Sequence, residues 1–229
     1  MRREMAGPLI FGFVGVAILV SLGVWQVQRL TWKEGVLAEI EARIGAAPVA
    51  LPETLEPERD RYLPVTATGE IGEDHVRVLV SQRGQGAGYR VISPFETDGR
   101  RVLVDRGIMP LEGDVPDHGG AVTVRGNLHW PVEVDGFTPE ADPLRNIWYA
   151  RDVQALSAHL GTEPVLIIAR ALSVSDTPLE PLPVDTSGIP NDHLNYAVTW
   201  FSLAALWLGM TLYLLWRIRQ GSPQGAKGK

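Results

Sequence analysis

Ile189-Pro190-Asn191-Asp192-His193-Leu194-Asn195-Tyr196-Ala197-Val198-Thr199-Trp200 opens a run with no charged side chain from Leu194 to Trp216, 23 residues in all. At about 1.5 Å of rise per residue, a helix of that length crosses a hydrocarbon core of roughly 30 Å. The chain therefore reads as a membrane protein, and Asn191-Asp192-His193 forms a polar mouth where this helix begins.

Residues 5–28 form a second uncharged run, preceded by Arg2 and Arg3 and rich in Val, Ile, Leu, Phe and Gly. A cleavable signal peptide is the rival reading, with Ser21-Leu22-Gly23 as a loose cleavage site. Signal cores, however, span roughly 7–15 residues and end at a polar junction, whereas this run continues into Trp25-Gln26-Val27-Gln28-Arg29. The sequence thus predicts an anchor. Gly12, Gly15 and Gly23 would let a neighbouring helix approach closely. Arg2 and Arg3 flank the first run, and Arg217, Arg219, Lys227 and Lys229 follow the second. By the positive-inside rule both termini face the cytoplasm and the middle of the chain faces outward. So few residues precede the first run that no Arg-rich transit peptide is expected, which favours a bacterial inner membrane with a periplasmic central domain.

Four segments follow: transmembrane spans at 5–28 and 194–216, an extracytoplasmic domain at 32–190 and a cytoplasmic tail at 217–229. The central stretch has the length of one compact domain. Setting aside the six terminal cations and Glu4 leaves 15 basic against 26 acidic residues between Arg29 and Asp192. That balance argues against a nucleic-acid partner. With Cys 0, disulfides, thiolate metal sites and thiol redox chemistry are excluded.

From Arg29 to Ile44 the apolar residues Leu30, Val36, Leu37, Ile40 and Ile44 fall at helical spacing, so the first helix is predicted to run on as an amphipathic one. Pro48, Pro52 and Pro57 then mark an irregular connector. Alternating Val, Ile and Leu predict strands at 62–71, 75–82, 88–95 and 101–105, arranged as an antiparallel meander. Gln82-Arg83-Gly84-Gln85-Gly86-Ala87-Gly88 is glycine-rich but precedes a strand, which makes it a hairpin turn and not a phosphate loop. A loop at 109–120 leads to a strand at 121–130. Asp152 can cap a helix that Gly161 stops, and 164–172 reads as a buried strand. The fold class is α+β: two transmembrane helices flanking a mostly antiparallel β domain with one or two helices.

His193 is the most suggestive titratable group, because ionisable residues at a membrane helix are often functional. Neutral imidazole ligates haem iron and other metals, and Tyr196 and Trp200 follow three and seven residues on, near the same helical face. The competing reading makes His193, with Asn191 or Asp192, a helix cap and the aromatic residues an interfacial belt; spacing alone favours the cap. The first span exits where the second enters, so Trp25, Arg29, Trp32 and Lys33 can face His193, with Arg29 or Lys33 neutralising a ligand's carboxylates. They can equally be belt aromatics with snorkelling cations. His75, His118, His129 and His159 are scattered, with no metal-type spacing and no convincing acidic partner. No nucleophile elbow, HExxH or paired-acid signature is present, so no enzyme activity is expected.

Leu22-Gly23-Val24-Trp25-Gln26-Val27-Gln28-Arg29-Leu30-Thr31-Trp32-Lys33 resembles the LGxWQxxRxxWK segment that begins the Surfeit locus protein family, also called Shy proteins. Asn191-Asp192-His193-Leu194-Asn195-Tyr196-Ala197-Val198-Thr199-Trp200-Phe201 resembles its NxHxxYAxTWF segment. Gly88-Tyr89-Arg90-Val91-Ile92-Ser93-Pro94-Phe95 is similar to its GYxVxTPF. Val102-Leu103-Val104-Asp105-Arg106-Gly107-Ile108-Met109-Pro110 is similar to its VLVNRGWVP, with Asp105 in place of Asn and Ile108-Met109 in place of Trp-Val. The resemblance covers nearly the whole chain in the same order.

What the resemblance implies is an assembly factor for aa3-type cytochrome c oxidase that binds haem a transiently and assists its insertion into subunit I. On it, His193 is the candidate iron ligand, and Trp25, Arg29, Tyr196 and Trp200 are candidate haem-binding residues. The expected partners are oxidase subunit I, haem a synthase, other assembly factors and membrane lipid. The alternative is a cofactor-free membrane scaffold that stabilises a subunit I intermediate. An extracytoplasmic sensor is a weaker third reading, because the short tail after Trp216 offers no output domain.

Overall fold

The structure, a computed structural model, describes residues 3–82 and 86–220. The described residues divide into two compact units, one made of 3–38 and 187–220 and the other lying within 39–186.

The first unit pairs the apolar part of helix α1 (Arg3–Ile44) with a helix from the far end of the chain, His193–Gln220. Both are long and apolar enough to cross a membrane. Between residues 9 and 30 of α1 the least exposed positions are Gly12, Gly15, Val16, Leu19, Leu22, Gly23, Gln26 and Leu30. On the C-terminal helix, from His193 to Thr211, they are His193, Ala197, Trp200, Ala204, Trp207 and Thr211. Steps of four and three residues alternate along that second stripe, an average of about 3.5 that keeps one seam facing a partner helix. The small residues let the backbones come together. A Cβ built on Gly12 would lie 2.1 Å from Thr211 Cγ2, and one on Gly15 2.2 Å from the Trp207 indole nitrogen. Phe11 packs on Trp207 with ring centroids 5.2 Å apart. Hydroxyl groups turn back on their own helix, Ser21 to the Ala17 carbonyl and Thr211 to the Trp207 carbonyl, which satisfies them where no water need be present.

As the periodicity predicts, α1 continues unbroken through Arg29 to Ile44. The second unit then begins with two elements inside the expected connector, strand β1 (Val49–Ala50) and a single turn, α2 (Pro57–Asp60). Strands β2 (Pro64–Ile71), β3 (Val76–Gln82), β4 (Gly86–Thr97), β5 (Arg100–Pro110), β6 (Ala121–Leu128) and β7 (Ile147–Trp148) follow. Helix α3 (Val153–Leu160), strand β8 (Leu166–Leu172) and helix α4 (His193–Gln220, the C-terminal helix above) complete the chain.

The sheet is mixed. Its order is β1-β2-β6-β8-β5-β4-β3-β7, with a further β2–β4 pairing. That extra pairing, Glu70 with Glu96 and Ile71 with Phe95, closes β2, β6, β8, β5 and β4 into a ring. β1–β2, β3–β7 and β5–β8 run parallel. The expected meander holds for β3, β4 and β5, which pair antiparallel in sequence order. It fails for β2, which pairs with β1, β6 and β4 and not with β3. The β3–β4 hairpin is present, although Arg83-Gly84-Gln85 at its tip lie outside the described residues, as do residues 221–229 of the expected tail.

Alternation along the strands divides the core into two layers. Val102 and Val104 of β5, Ile167 and Ala169 of β8, and Val65, Val122, Val124 and Phe95 fill the ring. The alternate residues Leu103, Leu166 and Ile168 face outward and are covered by Val153, Leu156 and Leu160 of α3. Asp152 caps α3 through Oδ1, which accepts from the backbone N–H of Gln154 and Ala155, and Gly161 ends the helix at φ 65°, as the sequence predicts. The last carbonyl of α1, that of Ile44, accepts hydrogen bonds from Asn127 Nδ2 and Arg170.

Strand β5 continues five residues beyond the predicted end at Asp105 because it carries a bulge. Val91 pairs with Gly107 and Ile92 with Asp105, so Arg106 is the extra residue, and Gly107 adopts φ 120°. A bulge interrupts the in–out alternation. Two consecutive charged residues, Asp105 and Arg106, are consequently both buried.

Candidate functional site

The first predicted transmembrane run and the residue just before the second meet in one polar contact. In the first unit, His193 is the first residue of α4, and its Nδ1 lies 2.8 Å from Gln26 Oε1 of α1. Helical arithmetic places Gln26 there. It sits seven residues from Leu19 and fourteen from Gly12, on the stripe that faces α4, and only 8 % of its surface is exposed. Gln28, two residues on and about 200° around the helix, is exposed. The chemistry of the contact follows from its atoms. An amide oxygen can only accept, so a neutral imidazole that bonds to it donates from Nδ1 and keeps its lone pair on Nε2. The helix-cap reading of His193 is replaced by this side-chain contact between helices.

The other expected site residues take different positions. Trp200 lies on the inward stripe of α4 with His193, half-buried. Tyr196 faces outward, 56 % exposed, and Trp25 is 51 % exposed. Arg29 stacks its guanidinium over the Trp32 ring at 4.5 Å, a cation–π contact along one helix. Gln26 is the residue that sequence reasoning did not single out. The signal was present: a polar side chain at a seven-residue step from Leu19 inside an uncharged run.

A second set of buried polar groups lies in the barrel and is structural. Asp105 Oδ2 accepts from Arg90 Nε at 2.7 Å, and Arg151 approaches the same oxygen at 3.6 Å while also pairing with Glu133. Burial would raise the Glu133 carboxyl, but hydrogen bonds from Arg151 outweigh it and hold the group below its ordinary range. Arg106 pairs with Asp176, whose Oδ1 also meets His118 Nε2 at 2.7 Å. His118 therefore has an acidic partner, contrary to the sequence reading; the two are 58 residues apart, beyond any local pattern. His129 stacks on Tyr62 with centroids 5.2 Å apart. Burial, followed by the charges of Arg151 and Arg61, lowers its pKa to about 4. Among the described residues no group of three or more His, Cys, Asp or Glu side chains could hold a metal ion.

The sequence model of the SURF1 family matches residues 13–205, a span that includes both Gln26 and His193. The chain is 34 % identical over 216 residues to Surfeit locus protein 1 of Homo sapiens, covering 81 % of this chain and 70 % of that protein. It is 32 % identical over 228 residues to Surfeit locus protein 1 of Rattus norvegicus, covering 88 % and 72 %. It is 30 % identical over 250 residues to the SURF1-like protein of Monosiga brevicollis, covering 98 % of this chain and 93 % of that one.

Proposed function

The chain belongs to the SURF1 family, and from that premise we propose that it is a membrane assembly factor for aa3-type cytochrome c oxidase that binds haem a and assists its insertion into subunit I. Family membership supplies the assembly role. The observation that carries the haem reading is the His193–Gln26 contact: one imidazole, held by its Nδ1–H at 2.8 Å between two apolar helices, with the lone pair on Nε2.

The residues present suit such a group. Haem iron takes an imidazole nitrogen as axial ligand, and Nε2 of His193 is the donor this arrangement provides. Trp200, on the inward stripe with His193, offers flat apolar surface; Trp25, Tyr196 and Arg29 are exposed, and their part in holding the group rests on the family resemblance. When bound, the haem supplies the iron that His193 ligates. The protein's part is to orient that ligand and shield the macrocycle before release. Carrying and handing on require no bond-making residues, and the chain acts as a chaperone and not as an enzyme.

On this reading α1 and α4 cross a bacterial inner membrane. Arg2, Arg3, Arg217, Arg219, Lys227 and Lys229 hold both termini in the cytoplasm, and the barrel lies in the periplasm. Subunit I receives the haem, and haem a synthase is the natural donor. The test is coexpression with haem a synthesis, purification and an absorption spectrum. A Soret band on the wild type that is weakened or shifted in His193→Ala supports the reading; a colourless wild type rules it out.

One observation favours a second reading, the cofactor-free scaffold. The loop between β6 and β7 presents Val132, Phe137 and Leu144, with Phe137 95 % and Leu144 100 % exposed. Asp135 shapes this loop by accepting from the Phe137 N–H, so an apolar side chain is presented on an ordered turn. A scaffold would co-purify with subunit I without colour and keep that association after His193→Ala.

A further inference from the structure

Gln26 is buried between two apolar helices, where an amide is retained only if its polar atoms find partners. Its oxygen faces a single ring nitrogen, His193 Nδ1. In water a neutral imidazole exchanges its proton between the two nitrogens, and a hydrogen bond made by one of them decides which is left to ligate. We infer that Gln26 is the positioning residue of the site: by accepting the His193 Nδ1–H it fixes the tautomer, presents Nε2 as the ligating nitrogen, and sets that nitrogen's donor strength. This deepens, and rests on, the haem-binding reading above.

The residue type matters as well as its place. Metal-bound histidines commonly donate their second N–H to a carboxylate or a carbonyl, and a more basic acceptor makes the imidazole a stronger ligand. A neutral amide places His193 between an unsupported imidazole and a carboxylate-bonded one. Such intermediate strength suits a protein that must hold a group and then give it up. The neighbouring glutamine, Gln28, is exposed and serves as the internal control.

The experiment has two arms, both on the full-length protein in detergent micelles. In the haem-free arm, nitrogen NMR of 15N-histidine protein reads the His193 tautomer at a pH where the ring is neutral. Wild type and Gln28→Met give the Nδ1–H form; Gln26→Met moves the ring toward the Nε2–H form, and Gln26→Glu restores Nδ1–H. In the haem-loaded arm, resonance Raman of the ferrous protein reads the iron–histidine stretch, which falls in Gln26→Met and not in Gln28→Met. Haem retention against apomyoglobin as scavenger drops about 10–100-fold in Gln26→Met, the range usual for lost support of a metal ligand. A wild-type Nε2–H tautomer, or an unchanged tautomer and stretch in Gln26→Met, overturns the inference. Should Gln26→Met fail to fold, the wild-type and Gln26→Glu tautomers decide it. Should wild type bind no haem, the functional reading fails while the haem-free arm still decides whether Gln26 sets the tautomer.

Discussion

At the scale of single residues, the buried charges of the barrel set the largest energies. Asp105 is fully buried and faces two guanidinium groups, Arg90 and Arg151. Removing one partner from a buried ion pair leaves the other uncompensated, at a cost of about 3–5 kcal/mol. Asp105→Ala should therefore lower the unfolding free energy by that order in chemical denaturation. Asp105→Asn should cost less, because its one amide oxygen can still accept from Arg90 Nε, although the second carboxylate oxygen, which accepts from the Gly107 N–H, is lost. His129 gives a pH signature. Its pKa is about 4 when folded and returns to the ordinary value of 6.5 when unfolded, so between those values the unfolded chain binds the extra proton. Stability is full above pH 6.5, falls as the pH drops toward 4 and levels off below. The total is at most roughly 3 kcal/mol, and less in practice because the ring keeps some solvent contact. In His129→Phe the thermal midpoint of the barrel should fall less between pH 7 and 4.5 than in wild type; equal slopes would show that other groups carry the dependence.

At the scale of elements, the helices were legible and their partners were not. Long uncharged runs give α4 and the first part of α1, helical spacing gives the continuation of α1 to Ile44, and caps give α3, because each signal is local in the chain. The bulge in β5 was missed: Asp105-Arg106 reads as the polar end of a strand, and nothing local announces that both side chains will be buried against Arg90 and Asp176. Gly12, Gly15 and Gly23 did signal close helix approach, and the structure supports a contrast between two glycines. A methyl group on Gly15 would run into the Trp207 indole, whereas one on Gly35 meets nothing within 4 Å. Gly15→Ala should destabilise the helix pair by about 1–3 kcal/mol through overpacking. Gly35→Ala should stabilise by about 0.5–1 kcal/mol through helix propensity. Thermal unfolding in micelles should thus move in opposite directions for two identical substitutions, and movement in the same direction would refute the packing described.

At the scale of the whole molecule, two long apolar helices and a β domain between them could be read directly, because hydropathy and alternation are summed over many residues. Closure of the barrel could not. It depends on Ile71 meeting Phe95 and on β8 entering between β6, antiparallel, and β5, parallel, pairings set by the joint packing of the two core layers. The candidate site was legible by half: His193 stood out as an ionisable residue at an apolar helix, while Gln26, 167 residues away, became visible only once the helices were paired. The central proposal is that His193 ligates haem a. The most direct measurement is imidazole rescue: haem a is added to purified His193→Gly, and the Soret band is followed as free imidazole is supplied. The account predicts a band lost or shifted in His193→Gly and restored by imidazole toward the wild-type position; a wild-type band in His193→Gly before any imidazole is added would contradict it.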